Sequence, residues 1–159
     1  MANYEPRKDE LCIAEDHKTI HMTLEGEKYV GWHTDSDGNI VDEYDRNLIE
    51  FSYYESDEEG WGVGDHELIS TNDIKNMADG IRNVLNHQTA LFRYHCQDDI
   101  FWIELSYDNN SDLFSFTAAL LETLCRDYHI IISEERLTLS GLEKYIHPLL
   151  EWEKKYPIV

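Results

Sequence analysis

The chain has 159 residues, the length of one domain or of one domain with additions at its edge. It carries 33 acidic and 13 basic side chains, and the resulting formal net charge of −20 repels nucleic acids and anionic membrane surfaces. Hydrophobic residues make up 42% of the chain, but no apolar run approaches the ~20 residues of a membrane helix.

Cysteine usage and the first residues both indicate a location in the cell. The three cysteines form no close pair, so they are a poor disulfide framework and are typical of the reducing cytoplasm. The first residues lack the basic start and apolar stretch of a secretion signal. We therefore expect a cytoplasmic protein.

Residues 1–18 are polar and charged and contain few apolar residues, so we predict a loosely ordered lead-in there. The rest of the chain shows no sequence repeat, no low-complexity tract and no linker rich in proline or serine. We therefore expect a single domain over residues 19–159.

The first third of this domain predicts short antiparallel strands. Apolar and polar residues alternate over residues 19–24, as in a strand with one buried face. The sequence DSDGN at residues 35–39 predicts a hairpin turn, because its Asp-Gly pair suits positive φ angles. Further strands are predicted over residues 28–34, 40–44 and 48–54.

A charged, glycine-rich loop is predicted over residues 55–64. Ser70 or Thr71 then caps a helix that continues to about Asn86, because apolar residues recur there every three or four positions. A second hairpin is predicted over residues 90–96 and 100–107. Within it, Trp102 and Glu104 lie on the face opposite its apolar residues.

The spacing of apolar residues over 112–127 favours a helix, although Phe114, Phe116 and Ala118 also alternate as they would in a strand. A short β-branched strand follows over residues 129–133. Ser140 and Glu143 form a capping box that opens a last helix. These elements predict an α+β fold, an antiparallel sheet of short strands and hairpins with about three helices, mostly in the second half.

The turn at residues 35–39 resembles part of an EF-hand calcium loop. When Gly38 is aligned with the glycine of that loop, His33 and Tyr44 occupy two of the most demanding ligand positions. A hairpin turn explains these residues better.

Other chemical motifs are also missing from the sequence. His17 and His21 lie where a strand is predicted to begin, and that spacing on a strand separates the two rings by roughly 13 Å. There is no Cys-x-x-Cys, no Gly-x-Ser-x-Gly and no phosphate-binding glycine loop. We predict no catalytic residue, no cofactor and no metal.

Acidic and aromatic residues are mixed along the predicted first sheet and the loop after it. Aromatic anchors in a field of one charge sign are typical of a tight, rapidly formed protein interface. The alternative is that the aromatics face the core and the acids form the solvated opposite face. The candidate partner-binding residues are Asp42, Glu43, Asp45, Tyr53, Tyr54, Asp57, Glu58, Glu59 and Trp61.

Three stretches of the C-terminal two-thirds carry a resemblance to a known family. They are a helix that begins with the sequence ISTNDI at residue 69 and runs through ADGI at residue 78, then a hairpin, and a closing helix from Ser140 to Pro157. This pattern resembles bacterial immunity proteins that neutralise polymorphic toxins, in particular the WapI-like type. No invariant motif accompanies the pattern, so it assigns no site residue. It implies a mostly stranded centre, in contrast with the helix predicted over 112–127.

The resemblance implies a non-catalytic cytoplasmic protein that covers the active surface of a cognate toxin, often a basic nuclease. The partner is then a basic protein, without direct binding to nucleic acid or membrane. One alternative is a small adaptor or mobile-element accessory protein whose acidity serves solubility. Another is a hydrolase with an acidic cleft, in which the acid pairs at residues 58–59, 98–99 and 134–135 supply general acids and bases.

Overall fold

A computed structural model describes residues 10–15, 18–25, 36–37, 48–56, 62–95, 101–122 and 128–157. For residues 15, 18–25, 48–56, 62–68, 101, 120–122 and 128–130 it describes the backbone alone. Among the described residues, no helix is long and apolar enough to cross a membrane.

The first half of the chain forms a four-stranded sheet in which each strand pairs antiparallel with the next. The strands are β1 (Glu10–Glu15), β2 (Lys18–Glu25), β3 (Leu48–Ser56) and β4 (Gly62–Ser70). Helix α1 (Thr71–Leu85) follows the last strand directly.

The second half repeats this order of elements. Strands β5 (Leu91–His95), β6 (Phe101–Asp108), β7 (Leu113–Glu122) and β8 (Tyr128–Leu137) again form a four-stranded antiparallel sheet. Helix α2 (Leu139–Lys155) follows its last strand. Over the residues that the structure describes, the elements therefore follow one another as two successive ββββα units, a repeat that appears in the order of elements and not as a motif in the sequence.

Each helix begins at a hydroxyl side chain that accepts a hydrogen bond from the first turn. Ser70 Oγ accepts from the N–H of Asp73 at 3.1 Å, and Thr138 Oγ1 accepts from the N–H of Gly141 at 3.1 Å. These bonds satisfy donors that the helix itself leaves unpaired. The strand-to-helix junctions of the two units are thus built in the same way.

Both sheets and both helices contribute to one hydrophobic core. Helix α1 contacts β4, β5 and β6, helix α2 contacts β1, β7 and β8, and the two helices contact each other. Strand β1 also lies against β8. The largest fully buried side chains are Trp152, Phe116, Leu11, Ile13, Ile69 and Ile74.

The α+β class and several predicted elements are confirmed. Strands cover residues 19–24 and 48–54, the second hairpin is present, and Ser70 caps a helix that ends at Leu85. Trp102 and Glu104 are partly exposed, whereas the residues that alternate with them, Ile103 and Leu105, are buried. The strands predicted over 28–34 and 40–44 lie outside the described residues.

The prediction of a helix over 112–127 is wrong, because residues 113–122 form β7, which pairs with β6 and β8. The alternation of Phe114, Phe116 and Ala118 was the correct signal, and all three side chains are buried. The described residues therefore contain two helices instead of the expected three.

Three further predictions need correction. Residues 10–15 of the predicted lead-in form β1, whose Leu11 and Ile13 are buried in the core. Residues 62–64 of the predicted loop begin β4, a strand that the sequence did not suggest. The last helix is capped by Thr138, so Ser140 lies inside the helix and the predicted capping box is absent.

Candidate functional site

The structure describes only part of the predicted partner surface. Tyr53 and Tyr54 occupy successive positions of β3, where their backbones pair with β2 on one side and β4 on the other. The other seven candidates lie outside the described residues: Asp42, Glu43, Asp45, Asp57, Glu58, Glu59 and Trp61.

The strand topology separates these candidates into two groups. The connection that contains residues 42–45 leaves the sheet after Glu25 and returns at Leu48, whereas residues 57–61 join Ser56 to Gly62. These two pairs of strand ends lie at opposite ends of β3, which is nine residues or roughly 30 Å long. The two connections therefore leave opposite ends of the sheet, and β3 does not bring their points of attachment together.

The second sheet has a described solvent-facing surface opposite the helices. Arg93, Glu104, Thr117 and Ser133 lie in register across its four strands. Arg93 Nε donates to Glu104 Oε2 at 2.6 Å, and the hydroxyls of Thr117 and Ser133 are 2.8 Å apart. This row of polar groups is therefore satisfied by cross-strand partners within the sheet.

A second row on the same face contains Trp102. The ring of Trp102 lies under the Arg93 guanidinium, 5.0 Å from its carbon to the ring centroid, and its centroid is 6.1 Å from that of His95. Ile131 stands in the same row across the sheet and is 53% exposed. We call Arg93, His95, Trp102, Glu104 and Ile131 the outer patch. A tryptophan and an arginine beside an exposed isoleucine have the composition of an interface centre.

The sequence placed Trp102 and Glu104 on the open face of their strand but did not single them out. Their strand neighbours Arg93 and Ile131 come from distant parts of the chain, and only the pairing register assembles the outer patch.

The exposed sides of the helices carry several ion pairs, in which the charges of an acidic and a basic side chain offset each other. Lys75 pairs with Asp79, and Lys154 Nζ lies 3.1 Å from Glu151 Oε1. Arg82 on α1 reaches across to Glu153 on α2, with 3.0 Å between Nη1 and Oε2. These contacts lower the pKa of Glu153, first through the hydrogen bond from Arg82. Three of the five carboxylates of the helices, those of Asp79, Glu151 and Glu153, are thus paired with cations on the helices.

The charge of the molecule is therefore unevenly placed. Helices α1 and α2 together contain five acidic and five basic side chains, so they carry no net charge. All of the net charge of −20 belongs to the strands and connections. A cation approaching the molecule is attracted to the strands and connections and not to the helices.

A second cluster of polar side chains lies between β8 and α2. The Tyr145 hydroxyl donates to Glu134, and Lys144 Nζ lies 3.3 Å from the same carboxylate. These partners lower the pKa of Glu134, with the Tyr145 bond as the larger cause. Burial, followed by the bond to Glu134, raises the pKa of Tyr145. At neutral pH the pair is therefore a phenol donating to a carboxylate, an arrangement that holds both side chains in place.

Cys12 on β1 lies close enough to Tyr145 to affect its titration. Burial, followed by the charge of Glu10, raises the pKa of the Cys12 thiol to about 11. A thiol with this pKa is protonated at neutral pH and is a weak nucleophile.

The described residues contain no group of three or more His, Cys, Asp or Glu side chains arranged to hold a metal ion. An open hollow of about 510 Å³ lies beside α2, and its described lining is Glu143, Lys144, Ile146, His147 and Leu150. All of the described lining belongs to one helix, and the hollow is more open than a typical ligand pocket.

Comparison with known proteins gives no relative: no family model matches the chain, and no curated protein is significantly similar to it.

Proposed function

We propose that the chain is a non-catalytic acidic protein that binds a basic partner protein through its strands and connections, as an immunity protein covers the active surface of a toxin. The observation that carries this proposal is the neutrality of the two helices in a molecule with a net charge of −20. Acidity that serves solubility alone has no reason to avoid the helices, whose described residues include many exposed positions.

The outer patch is a further candidate contact surface, because it too lies on strands. It lies on the sheet face opposite the helices and contains Trp102 and Arg93, residue types that dominate the centres of protein interfaces. The candidate aromatics Tyr53 and Tyr54 belong to the other sheet. Aromatic side chains supply buried contact area, while the surrounding acids accelerate the encounter with a basic partner.

The resemblance to WapI-like immunity proteins gives this binding role a biological setting. In that setting the protein acts in the cytoplasm and the partner is a basic toxin domain, often a nuclease. Carboxylates of the inhibitor then occupy the places of the phosphates of the nucleic acid. Strand β7 replaces the predicted helix and so removes the one feature that set the predicted fold apart from the stranded centre implied by the resemblance.

A capture experiment with two matched variants tests the binding role. The tagged protein is incubated with a lysate of its own cells and eluted with a salt gradient. We expect one basic protein in stoichiometric amount, released as salt screens charges beyond about 8 Å at 0.15 M. An acidic or apolar partner that stays bound at high salt would contradict the proposal.

The variants compare equal changes of charge at two places. The triple variant Asp57→Asn, Glu58→Gln and Glu59→Gln should release the partner at lower salt. The control Glu143→Gln, Glu151→Gln and Glu153→Gln removes three charges from α2 and should release it at the same salt as the unmodified protein. If both variants shift elution equally, net charge and not its placement governs binding.

A growth assay separates toxin neutralisation from adaptor function. The captured protein is expressed alone and together with this chain. Growth arrest that co-expression reverses supports an immunity protein. If the captured protein does not arrest growth when it is expressed alone, the binding role would stand, but the chain would be an adaptor and not an immunity protein.

A further inference from the structure

We propose that the chain is a fused pair of equivalent ββββα units, and that each unit serves as the folding partner of the other. The inference is independent of the function proposed above. It rests on the repeated order of elements, on matching residues in the two helices, and on the way in which each helix packs.

The helices and the strand residues that precede them match when residue numbers differ by 68. The capping residues Ser70 and Thr138 coincide, and each bonds the N–H three positions later. Six further buried positions coincide, although the side chains differ in size. The pairs are Ile69 with Leu137, Ile74 with Leu142, Met77 with Tyr145, Ala78 with Ile146, Ile81 with Leu149, and Val84 with Trp152.

The packing of the helices is reciprocal. Helix α1 ends the first unit but contacts β5, the first strand of the second unit. Helix α2 ends the second unit but contacts β1, the first strand of the first unit. Each helix also contacts the strand that precedes it, and the two helices contact each other. The exchange of these helix contacts is what a two-fold axis between α1 and α2 produces, as in a homodimer whose subunits exchange helices.

The contacts between α1 and β5 are close. A Cβ atom on Gly80 would clash with the ring of Phe92, so the glycine allows this ring to approach the helix. On the other side, Leu11 and Ile13 of β1 are buried in the same core as the residues of α2. Among the described residues, the main helix contact of each first strand thus comes from the other unit, so each unit needs the other to complete its core.

The two units are similar but not identical. Helix α1 also contacts β6, whereas α2 contacts β7. Between the sheets, β1 lies against β8 and β2 against β7, and the described residues show no comparable contact of β5 with β4 or of β6 with β3. We therefore expect the two units to pair with each other without every contact of one unit being repeated in the other.

The first test cuts the chain between the units. A protease site inserted between Thr89 and Ala90, in the exposed turn, leaves both helices and both sheets intact after cleavage. We expect the two fragments to remain together as one particle with the mass of the intact chain, measured by gel filtration with light scattering, and to unfold in one cooperative transition. Fragments that separate in native buffer, folded or unfolded, would overturn the proposal.

The second test exchanges the order of the units. In the first unit, five residues connect Leu85 to Leu91. A two-fold axis makes the gap from Lys155 to Glu10 equivalent, and joining Val159 to Met1 supplies 13 residues to span it. The permutant that begins at Ala90 and ends at Thr89 should therefore be a monomer with the far-ultraviolet circular dichroism and cooperative unfolding of the original chain.

A control permutant opens the chain between Asn109 and Asn110, in the turn that joins the middle strands of the second unit. It uses the same join but interrupts a unit, so we expect a lower melting temperature than for the permutant opened between the units. Equal melting temperatures, or an unfolded permutant opened between the units, would overturn the proposal.

Discussion

The two ββββα units share a scaffold and differ in charge and in one connection. Residues 10–85 carry 19 acidic and five basic side chains, whereas residues 91–155 carry 12 and six. The middle strands of the second unit are joined by four residues, but 22 residues join β2 to β3 in the first unit. The stretch between the middle strands is thus longer in the first unit, and by sequence it is acidic; segments between strands are where binding residues commonly lie.

This difference indicates how fold and function are divided. The buried positions of the helices match between the units because both must fill the same core. Seven of the nine candidate partner-binding residues fall between strands of the first unit, outside these matched helix positions. If the two units are equivalent in stability as well as in the order of their elements, substitutions at equivalent positions should change the free energy of unfolding by similar amounts.

The largest effects are expected at equivalent core positions. Ile81→Ala and Leu149→Ala each remove a fully buried branched side chain and should each lower the free energy of unfolding by about 2–5 kcal/mol. Because the units share one core, both variants should unfold in a single transition by urea denaturation, whether followed by fluorescence or by circular dichroism. Asn76→Ala on the exposed side of α1 is the control. A second transition in either variant would show that the units fold independently.

A smaller loss is expected where α1 meets β5. Gly80→Ala places a methyl group against the Phe92 ring and should cost about 1–3 kcal/mol through overpacking. The double variant Gly80→Ala with Phe92→Leu should be more stable than the sum of the single changes, because the smaller side chain relieves the clash. Strictly additive free energies in urea denaturation would mean that the glycine does not act through Phe92.

The helix caps provide the next comparison. Ser70→Ala and Thr138→Ala each remove one capping bond and should each cost about 1 kcal/mol. Ser140→Ala is the control, because Ser140 is exposed inside α2 and should change stability by less than about 0.5 kcal/mol. Thermal unfolding measures all three variants. A larger loss for Ser140→Ala than for Thr138→Ala would restore the capping box predicted from the sequence.

Local sequence signals predicted some parts of this fold well and others poorly. The apolar stripe and cap of α1 and the alternation in β6 each depend on neighbouring residues, so they are readable from the sequence. Strand β7 alternates from Phe114 to Ala118 but is buried on both faces at Ala118 and Ala119. Where the strand lacks a polar face its alternation ends, and the helical spacing of its apolar residues then competes with the strand pattern.

Two other failures have different physical causes. Strand β4 begins with Gly62 and Gly64, which are typical of loops, and its pairing with β3 overrides that tendency. Strand β1 is short and charged, and its burial depends on contacts with α2 that are more than a hundred residues away in the chain. The outer patch was missed for the same reason, since its residues meet only through strand register.

The smallest effect is expected at the ion pair between the two helices. Arg82 and Glu153 are 45% and 27% exposed, so solvent screens their attraction and a double-mutant cycle with Arg82→Ala and Glu153→Ala should give a coupling of about 0.2–1 kcal/mol at pH 7. Lys154→Ala and Glu151→Ala form the control cycle, because that pair lies within α2 alone.

The pH dependence of this coupling has a defined direction. The hydrogen bond from Arg82 lowers the pKa of Glu153 below the ordinary value of 4.5, so the folded state binds the proton less readily than the unfolded chain. The stabilisation by this ion pair is therefore fully present above pH 4.5, and it is lost as the pH falls through the lower pKa of Glu153 in the folded state. Coupling that persists in acid well below 4.5 would mean that the two helices are joined here by packing of the side-chain stems. Coupling that fades in acid would identify the pair as an electrostatic contact across the proposed two-fold axis, weak enough that the shared core must account for the pairing of the units.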